Sequence, residues 1–222
     1  MPLMLPPPKT FHDFSVQEER FFELLSAFPA PDRAVIKEAY IQAKAAHEQQ
    51  MRDDGTPYIL HPLRAAISLI SECGIKTPDI LCAMLLHDVV EDTRITIPAI
   101  EKLFGAPVAR LVSNVTRPRT IHPTEERVRR DKAAKFEKLL DADQETRIIK
   151  CADLLDNIRS WPNIPCESKA RKKLPRWFDE VRTYALPLAQ KTNATLFHEI
   201  SNAFSYAQEH SDICPPTLTH SL

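Results

Sequence analysis

Residues 81–93, LCAMLLHDVVEDT, carry four ionisable side chains in a run that is otherwise mostly apolar: His87, Asp88, Glu91 and Asp92. On a helix, where successive residues are rotated by 100°, the four fall within an arc of roughly 140°. Burying even a neutral polar group without a partner costs roughly 2–7 kcal/mol. A metal ion would compensate such a face, and imidazole with carboxylate is a common ligand set.

An adjacent His-Asp pair supplies only two ligands, and the chain offers two further ones. His61 precedes a proline, which favours an extended, rigid position at a helix start. Asp153 lies among apolar residues in RIIKCADLLDNIRSW, with Asn157 one turn later. Alone, His61 could be a capping or turn histidine, and Asp153 a helix cap or a salt-bridge partner. Together they complete a His₂Asp₂ set with open positions for water and substrate: His61, His87, Asp88 and Asp153.

The elements that would hold these residues are helices. The chain has only three glycines, and no stretch alternates long enough to make a strand. Pro and Thr mark helix starts, which predicts helices at 31–54, 62–73, 77–93, 97–104, 125–140 and 144–161, then two amphipathic helices after 168. We therefore expect an all-α fold, a compact multi-helix bundle with the metal site between core helices.

The domain organisation follows from length and proline content. A chain of 222 residues suits one domain. We expect a flexible proline-rich N-terminus at residues 1–15, a single domain at 16–209 and a loose C-terminal tail at 210–222.

Charge and cysteine content narrow the partners and the compartment. The net charge of −1 gives no reason to bind nucleic acid, and an apolar run of membrane-spanning length is absent from the sequence. Three of the five cysteines lie in apolar helical runs, which favours reduced thiols and a cytoplasmic location. A homo-oligomer is possible.

Three motifs, RDDGTPYILHP, LLHDVVEDT and KCADLLDN, resemble the hydrolase domain of RelA/SpoT-type alarmone enzymes. Those have the form R-x-x-G-x-PYI-x-HP, LLHDV-x-EDT and K-x-AD-x-x-x-N, and the likeness covers roughly residues 21–207. The resemblance implies an all-helical HD domain that binds one Mn²⁺ per chain. It also implies removal of the 3′-pyrophosphate from (p)ppGpp, with GDP or GTP as the other product. Without room for synthetase or regulatory domains, the chain looks like a stand-alone small alarmone hydrolase.

The resemblance assigns roles to individual residues. It makes the His₂Asp₂ set the metal ligands. Glu91 and Asp92 match the pair that handles the attacking water, so they would be catalytic. Arg52 matches an arginine that packs on the nucleobase, and Asn157 an asparagine that contacts the nucleotide.

A basic stretch supplies charge for the anionic substrate that the resemblance implies. Residues 116–135, TRPRTIHPTEERVRRDKAAK, hold seven Arg and Lys residues against three acidic ones. Because Arg and Lys bind phosphate oxygens strongly, we expect some of them, Arg129 and Arg130 among the candidates, to hold the pyrophosphate. The alternative is a solvated helix face.

Three positions depart from the family pattern. Asp53 replaces the usual lysine or serine, Leu154 a basic residue, and Asp156 an aromatic residue or histidine. An added acid beside the site should change how phosphates are held. The departures keep open another substrate nucleotide, (p)ppApp or NADPH. A catalytically silent nucleotide-binding regulator is a further alternative, against which the complete ligand set argues.

Overall fold

Eleven α-helices form the part of the chain that the computed structural model describes, residues 9–116 and 124–211. They are α1 Phe14–Leu25, α2 Ala30–Ala46, α3 Leu60–Ser71, α4 Pro78–Leu86, α5 Val89–Asp92, α6 Ile97–Val115, α7 Glu125–Asp141, α8 Gln144–Ser160, α9 Leu174–Glu180, α10 Leu186–Thr192 and α11 Ala194–His210. Short 3₁₀ helices lie at Lys9–His12, Trp161–Asn163 and Arg171–Lys173, and a π-helical turn at Val181–Ala185 joins α9 to α10. The predicted all-α fold is confirmed.

Helix starts follow local capping chemistry. Asp143 caps α8 because its side chain accepts a hydrogen bond from the Thr146 backbone N–H at 2.8 Å. A proline in the first turn opens α4 and α6, where a missing N–H costs nothing. Gly105, with φ of 85°, kinks α6 at the point where the sequence predicts the helix at 97–104 to end, and the helix continues beyond it to Val115.

Helices α3, α4 and α8 form the centre of the core. Residues 60–70 of α3 and 80–86 of α4 are all buried. Helix α4 packs against α2, α3, α6 and α8, and α8 also packs against α3 and α11. Polar side chains on these three helices therefore lie inside the protein.

Helix α2 ends earlier than predicted, at Ala46 rather than before Gly55. The chain then turns back on itself, with Arg52 N–H donating to the Thr56 carbonyl and Tyr58 N–H to the Gln50 carbonyl, each at 2.9 Å. These bonds satisfy backbone groups that a longer helix would have used, and Gly55 supplies the positive φ of the turn.

The predicted helix at 77–93 is wrong as a single element. It breaks into α4 and α5, and the two residues between them, His87 and Asp88, are in a turn. Asp88 has φ of −100° and ψ of −10°, which lies off the helical minimum.

The ends of the described part add three observations. The 3₁₀ helix Lys9–His12 lies before the predicted boundary at residue 16, and Phe11 within it is buried. Helix α11 ends at His210. The tail predictions cover residues 1–15 and 210–222, of which residues 1–8 and 212–222 lie outside the described residues.

Two chemical expectations can be compared with the described residues. Cys73, Cys82 and Cys151 are free thiols, as predicted for the cysteines in apolar helical runs, whereas Cys166 is disulfide-bonded, so the expectation of reduced cysteines does not hold for it. Among the helices described, none combines the length and apolar character that crossing a membrane requires.

Candidate metal centre

Four side chains from three parts of the chain converge in the core. His61 lies in the first turn of α3, His87 and Asp88 at the α4–α5 junction, and Asp153 in the middle of α8. His61 Nε2 lies 3.3 Å from Asp153 Oδ1 and 3.8 Å from Asp88 Oδ2. His87 Nε2 lies 3.0 Å from Asp88 Oδ2 and 3.9 Å from Asp153 Oδ1. The structure thus brings the His₂Asp₂ set together.

The break between α4 and α5 allows this convergence. Neighbouring residues of a continuous helix point 100° apart. The turn at His87 and Asp88 instead brings the imidazole and the carboxylate of adjacent residues to one point. Donor atoms of His61, His87 and Asp88 consequently lie within 4.8 Å of one another.

Both histidines present Nε2 to the centre because Nδ1 is engaged elsewhere. His87 Nδ1 lies 2.8 Å from the Met84 carbonyl oxygen, and His61 Nδ1 lies 2.7 Å from Asp156 Oδ2. Carbonyl and carboxylate oxygens only accept hydrogen bonds, so each Nδ1 must be the donor. His87 Nε2 is buried and, although it lies 3.0 Å from Asp88 Oδ2, makes no well-aligned hydrogen bond among the described residues. A divalent cation fits this arrangement of imidazole nitrogens and carboxylate oxygens.

The aspartates are held by three further side chains. The Tyr58 hydroxyl donates to Asp88 Oδ2 at 2.7 Å. Asn157 Nδ2 donates to Asp153 Oδ1 at 2.6 Å, and Lys150 forms an ion pair with Asp153 Oδ2. These contacts fix the directions in which both carboxylates point.

Opposite charges perturb the titration of the buried groups. Burial alone would raise the pKa of Asp88, but the His87 imidazole beside it outweighs burial and holds the pKa well below its usual range. For Asp153, Lys150 outweighs burial and lowers the pKa in the same direction. Burial lowers the pKa of His87, yet the Asp88 carboxylate dominates and raises it to about 9. The carboxylates are therefore charged at neutral pH.

Asp156 lies elsewhere than the sequence led us to expect. It is 3% exposed and lies behind His61, where Arg64 Nε donates to its Oδ1 at 2.7 Å and Arg64 Nη2 to its Oδ2 at 3.0 Å. Arg64 neutralises this acid behind His61, which removes the structural reason to expect that Asp156 disturbs the binding of phosphates.

The predicted catalytic pair lies directly beyond the centre. Glu91 and Asp92 belong to α5, with Glu91 half-buried and Asp92 exposed. Burial and the nearby Asp88 carboxylate raise the pKa of Asp92. Its raised pKa makes Asp92 a stronger proton acceptor than an ordinary aspartate.

Two predicted substrate residues are joined to each other. Arg52 Nη2 donates to Asn157 Oδ1 at 2.8 Å, and Asn157 in turn contacts Asp153. The Arg52 guanidinium also lies 5.9 Å from the centre of the Tyr58 ring. Both predicted nucleotide contacts therefore border the centre.

The two arginines expected to hold phosphate lie on α7. Arg130 is exposed, and the Arg129 side chain lies outside the described residues. Lys132, from the same basic stretch, pairs with Glu180. The role of Arg129 and Arg130 stays a prediction.

Sequence reasoning missed three residues of the site: Tyr58, Arg64 and Lys150. Tyr58 and Lys150 stand inside the quoted motifs, so their position was a signal that we did not use. Arg64 and Asp156 are 92 positions apart, and no local pattern links them.

The fold and site together define an all-helical domain with an adjacent His-Asp pair, a further His and a further Asp at one buried centre. That is the arrangement of an HD domain. The chain belongs to the HD-domain family, whose model matches residues 39–192.

The relatives and a solved structure place it more narrowly. It is 35% identical over 175 residues to human guanosine-3′,5′-bis(diphosphate) 3′-pyrophosphohydrolase MESH1, covering 78% of this chain and 94% of that relative. It is also 35% identical over 195 residues to the Aquifex aeolicus protein named as the same hydrolase, covering 85% of this chain. The chain spans about a quarter of that longer protein, 26% of its length. A solved structure of a metazoan ortholog of SpoT that hydrolyzes ppGpp matches with a TM-score of 0.70 at 30% identity, over 83% of this chain and 99% of that one. The predicted resemblance to RelA/SpoT-type hydrolase domains is confirmed.

Proposed function

We propose that this chain is a Mn²⁺-dependent hydrolase that removes the 3′-pyrophosphate from (p)ppGpp and releases GDP or GTP and pyrophosphate. The observation that carries the proposal is the buried centre, where two Nε2 atoms and two carboxylates converge. Similarity to MESH1 over 94% of its length supports the substrate.

The His₂Asp₂ set would hold the metal. A bound divalent cation acts as a Lewis acid and lowers the pKa of a water molecule. The chain's own part is orientation, since hydrogen bonds from other residues hold His61, His87 and Asp88 in place. Carboxylate donors suit Mn²⁺, and imidazole suits several divalent metals.

Asp92, with Glu91 beside it, would take the proton of the attacking water. Asp92 has a raised pKa and lies one turn beyond Asp88 on α5, which supports a role in accepting that proton. Glu91 is half-buried on the same short helix, so it can orient that water.

Arg52 and Asn157 would bind the nucleotide, with Arg52 packing on the base. Their mutual hydrogen bond keeps the guanidinium at the edge of the centre. Arg129 and Arg130 are proposed to hold the pyrophosphate, which needs cations because the ligand set itself is acidic.

We favour guanine alarmones over (p)ppApp and NADPH as the substrate because the structure removes one reason for considering the other two. The added acid at Asp156 was a reason to consider (p)ppApp or NADPH, and that acid is paired with Arg64 behind the centre. Asp53, which is exposed, and Leu154 remain as departures.

The test is product analysis of the purified protein with ppGpp, ppApp and NADPH, each with Mn²⁺ and with a chelator. We expect metal-dependent release of GDP and pyrophosphate from ppGpp. Asp88→Ala should lose both metal binding and turnover, whereas Glu199→Gln, which alters an ion pair with Arg159 away from the centre, should retain both. Unchanged metal content and activity in Asp88→Ala would refute the proposed centre. Turnover of NADPH alone would refute the substrate.

A further inference from the structure

The pair Asp156 and Arg64 lies directly behind His61. We propose that Asp156, clamped by Arg64, is the positioning residue that fixes the orientation and tautomer of His61 for metal binding. This inference rests on the proposed function, because it concerns how one metal ligand of that centre is held.

The contacts form a continuous unit inside the core. His61, Arg64 and Asp156 are 1%, 2% and 3% exposed. Asp156 Oδ2 accepts from His61 Nδ1 at 2.7 Å and from Arg64 Nη2 at 3.0 Å, while Oδ1 accepts from Arg64 Nε at 2.7 Å. A two-point clamp of this kind leaves the carboxylate no freedom to rotate.

Arg64 is itself fixed. Its guanidinium donates to Ser160 Oγ at 3.0 Å and to the Phe11 carbonyl at 3.2 Å, and it lies 4.0 Å from the centre of the Phe11 ring. Both Phe11 and Ser160 are buried, so the clamp is anchored at the rear by α8 and the N-terminal 3₁₀ helix.

The shared oxygen argues for a role beyond stability. A buried ion pair is weak evidence for stabilisation, since apolar residues of similar size often replace one at little cost. Asp156 Oδ2, however, can only accept, so it requires a proton on His61 Nδ1 and leaves Nε2 for the metal. Carboxylates that hold a ligating histidine in this way raise metal affinity, and their loss typically costs about 10–100-fold.

The main test is the double variant Arg64→Met/Asp156→Leu, which removes the acceptor without leaving a buried charge unpaired. We expect its thermal stability to remain near that of the wild type, and its Mn²⁺ affinity to fall by about 10–100-fold. At saturating Mn²⁺ the KM for ppGpp should be unchanged, because the pair lies behind His61. Glu199→Gln, which alters the Arg159 ion pair, is the matched control and should keep wild-type Mn²⁺ affinity. Mn²⁺ affinity in the double variant equal to that of the wild type would overturn the inference.

A measurement on the unaltered protein keeps the inference testable if the double variant does not fold. Nitrogen-15 NMR of labelled histidines, without metal, reports which His61 nitrogens carry protons. A protonated Nδ1 with a strongly deshielded proton supports the inference, and the opposite tautomer overturns it. Absence of ppGpp hydrolysis by a wild type that binds Mn²⁺ would instead refute the proposed function. The Mn²⁺ affinities of the wild type and the double variant would still decide the inference about Asp156.

Discussion

Replacing Tyr58 by phenylalanine removes the hydroxyl that holds Asp88 and that also interacts with the Asp92 carboxyl. The Tyr58 hydroxyl donates to Asp88 Oδ2 at 2.7 Å, and its ring stacks on His47 with centroids 4.6 Å apart. Burial, reinforced by the Asp88 carboxylate, raises the pKa of Tyr58, so the phenol remains a donor throughout the working pH range. Phenylalanine keeps the stacked ring and removes only the donor.

The magnitude follows from the kind of bond. A hydrogen bond to a charged group contributes about 1.5–3 kcal/mol to stability. Since 1.4 kcal/mol is a factor of ten, losing all of it from metal binding would weaken affinity by about 10–100-fold. The bond is present without metal too, so metal affinity reflects only the lost orientation of Asp88. We therefore expect the lower end, about 10-fold weaker Mn²⁺ binding, and a free energy of unfolding lower by about 1 kcal/mol.

Calorimetric titration with Mn²⁺ and urea unfolding without metal measure the two quantities separately. Tyr206→Phe is the matched control. Tyr206 also stacks on a histidine, His210, with ring centroids 3.9 Å apart, but it lies on α11, which holds none of the proposed ligands. The control should leave Mn²⁺ affinity unchanged. If Tyr58→Phe also leaves it unchanged, the hydroxyl does not orient Asp88 and the reasoning fails.

Three other predictions concern substrate binding, the helix kink and a thiol. Arg52→Ala should raise the KM for ppGpp about tenfold, because stacking on the base is lost. The Mn²⁺ affinity should stay unchanged, because Arg52 forms a hydrogen bond with Asn157 and not with a proposed metal ligand. Steady-state kinetics measures the KM, and titration with Mn²⁺ measures the affinity. Gly105→Ala should lower the free energy of unfolding in urea by about 1–3 kcal/mol, since φ of 85° with ψ of 166° is a backbone conformation that other residues rarely adopt; the added Cβ would meet Pro107 Cδ at 3.6 Å, an ordinary contact. Burial raises the pKa of Cys73 to about 12, so its thiol stays protonated well above neutral pH. Its alkylation at pH 8, followed by peptide mass spectrometry, should be on the order of a thousandfold slower than that of an exposed cysteine and should accelerate as pH approaches 12.

Local chemistry made most helices predictable. Proline in the first turn of α4 and the kink at Gly105 in α6 follow from backbone constraints that act within a few residues. The turn between α4 and α5 does not, because the apolar residues on both sides of it favour one continuous helix. It is set by the site, where adjacent His87 and Asp88 must reach the same point.

Long-range contacts explain what the sequence could not predict about the site. The motifs predicted the four converging residues, but the pairing of Arg64 with Asp156 joins α3 to α8 and is visible only after folding. The sequence alone indicated that Asp156 adds a negative charge near the bound phosphates. In the structure, Arg64 neutralises Asp156, and the Asp156 carboxylate accepts a hydrogen bond from His61.

The charge balance of the core explains how an acidic centre can serve an anionic substrate. Lys150 pairs with Asp153 and Arg64 with Asp156, so the protein itself neutralises two of the three aspartates that contact the two histidines of the centre. Asp88 remains, beside two imidazoles. A divalent cation held there would offset the charge of Asp88, so less negative charge would oppose the phosphates of the nucleotide. Lys150 and Arg64 thus do more than stabilise the fold, because without them the uncompensated aspartates would repel the anionic substrate.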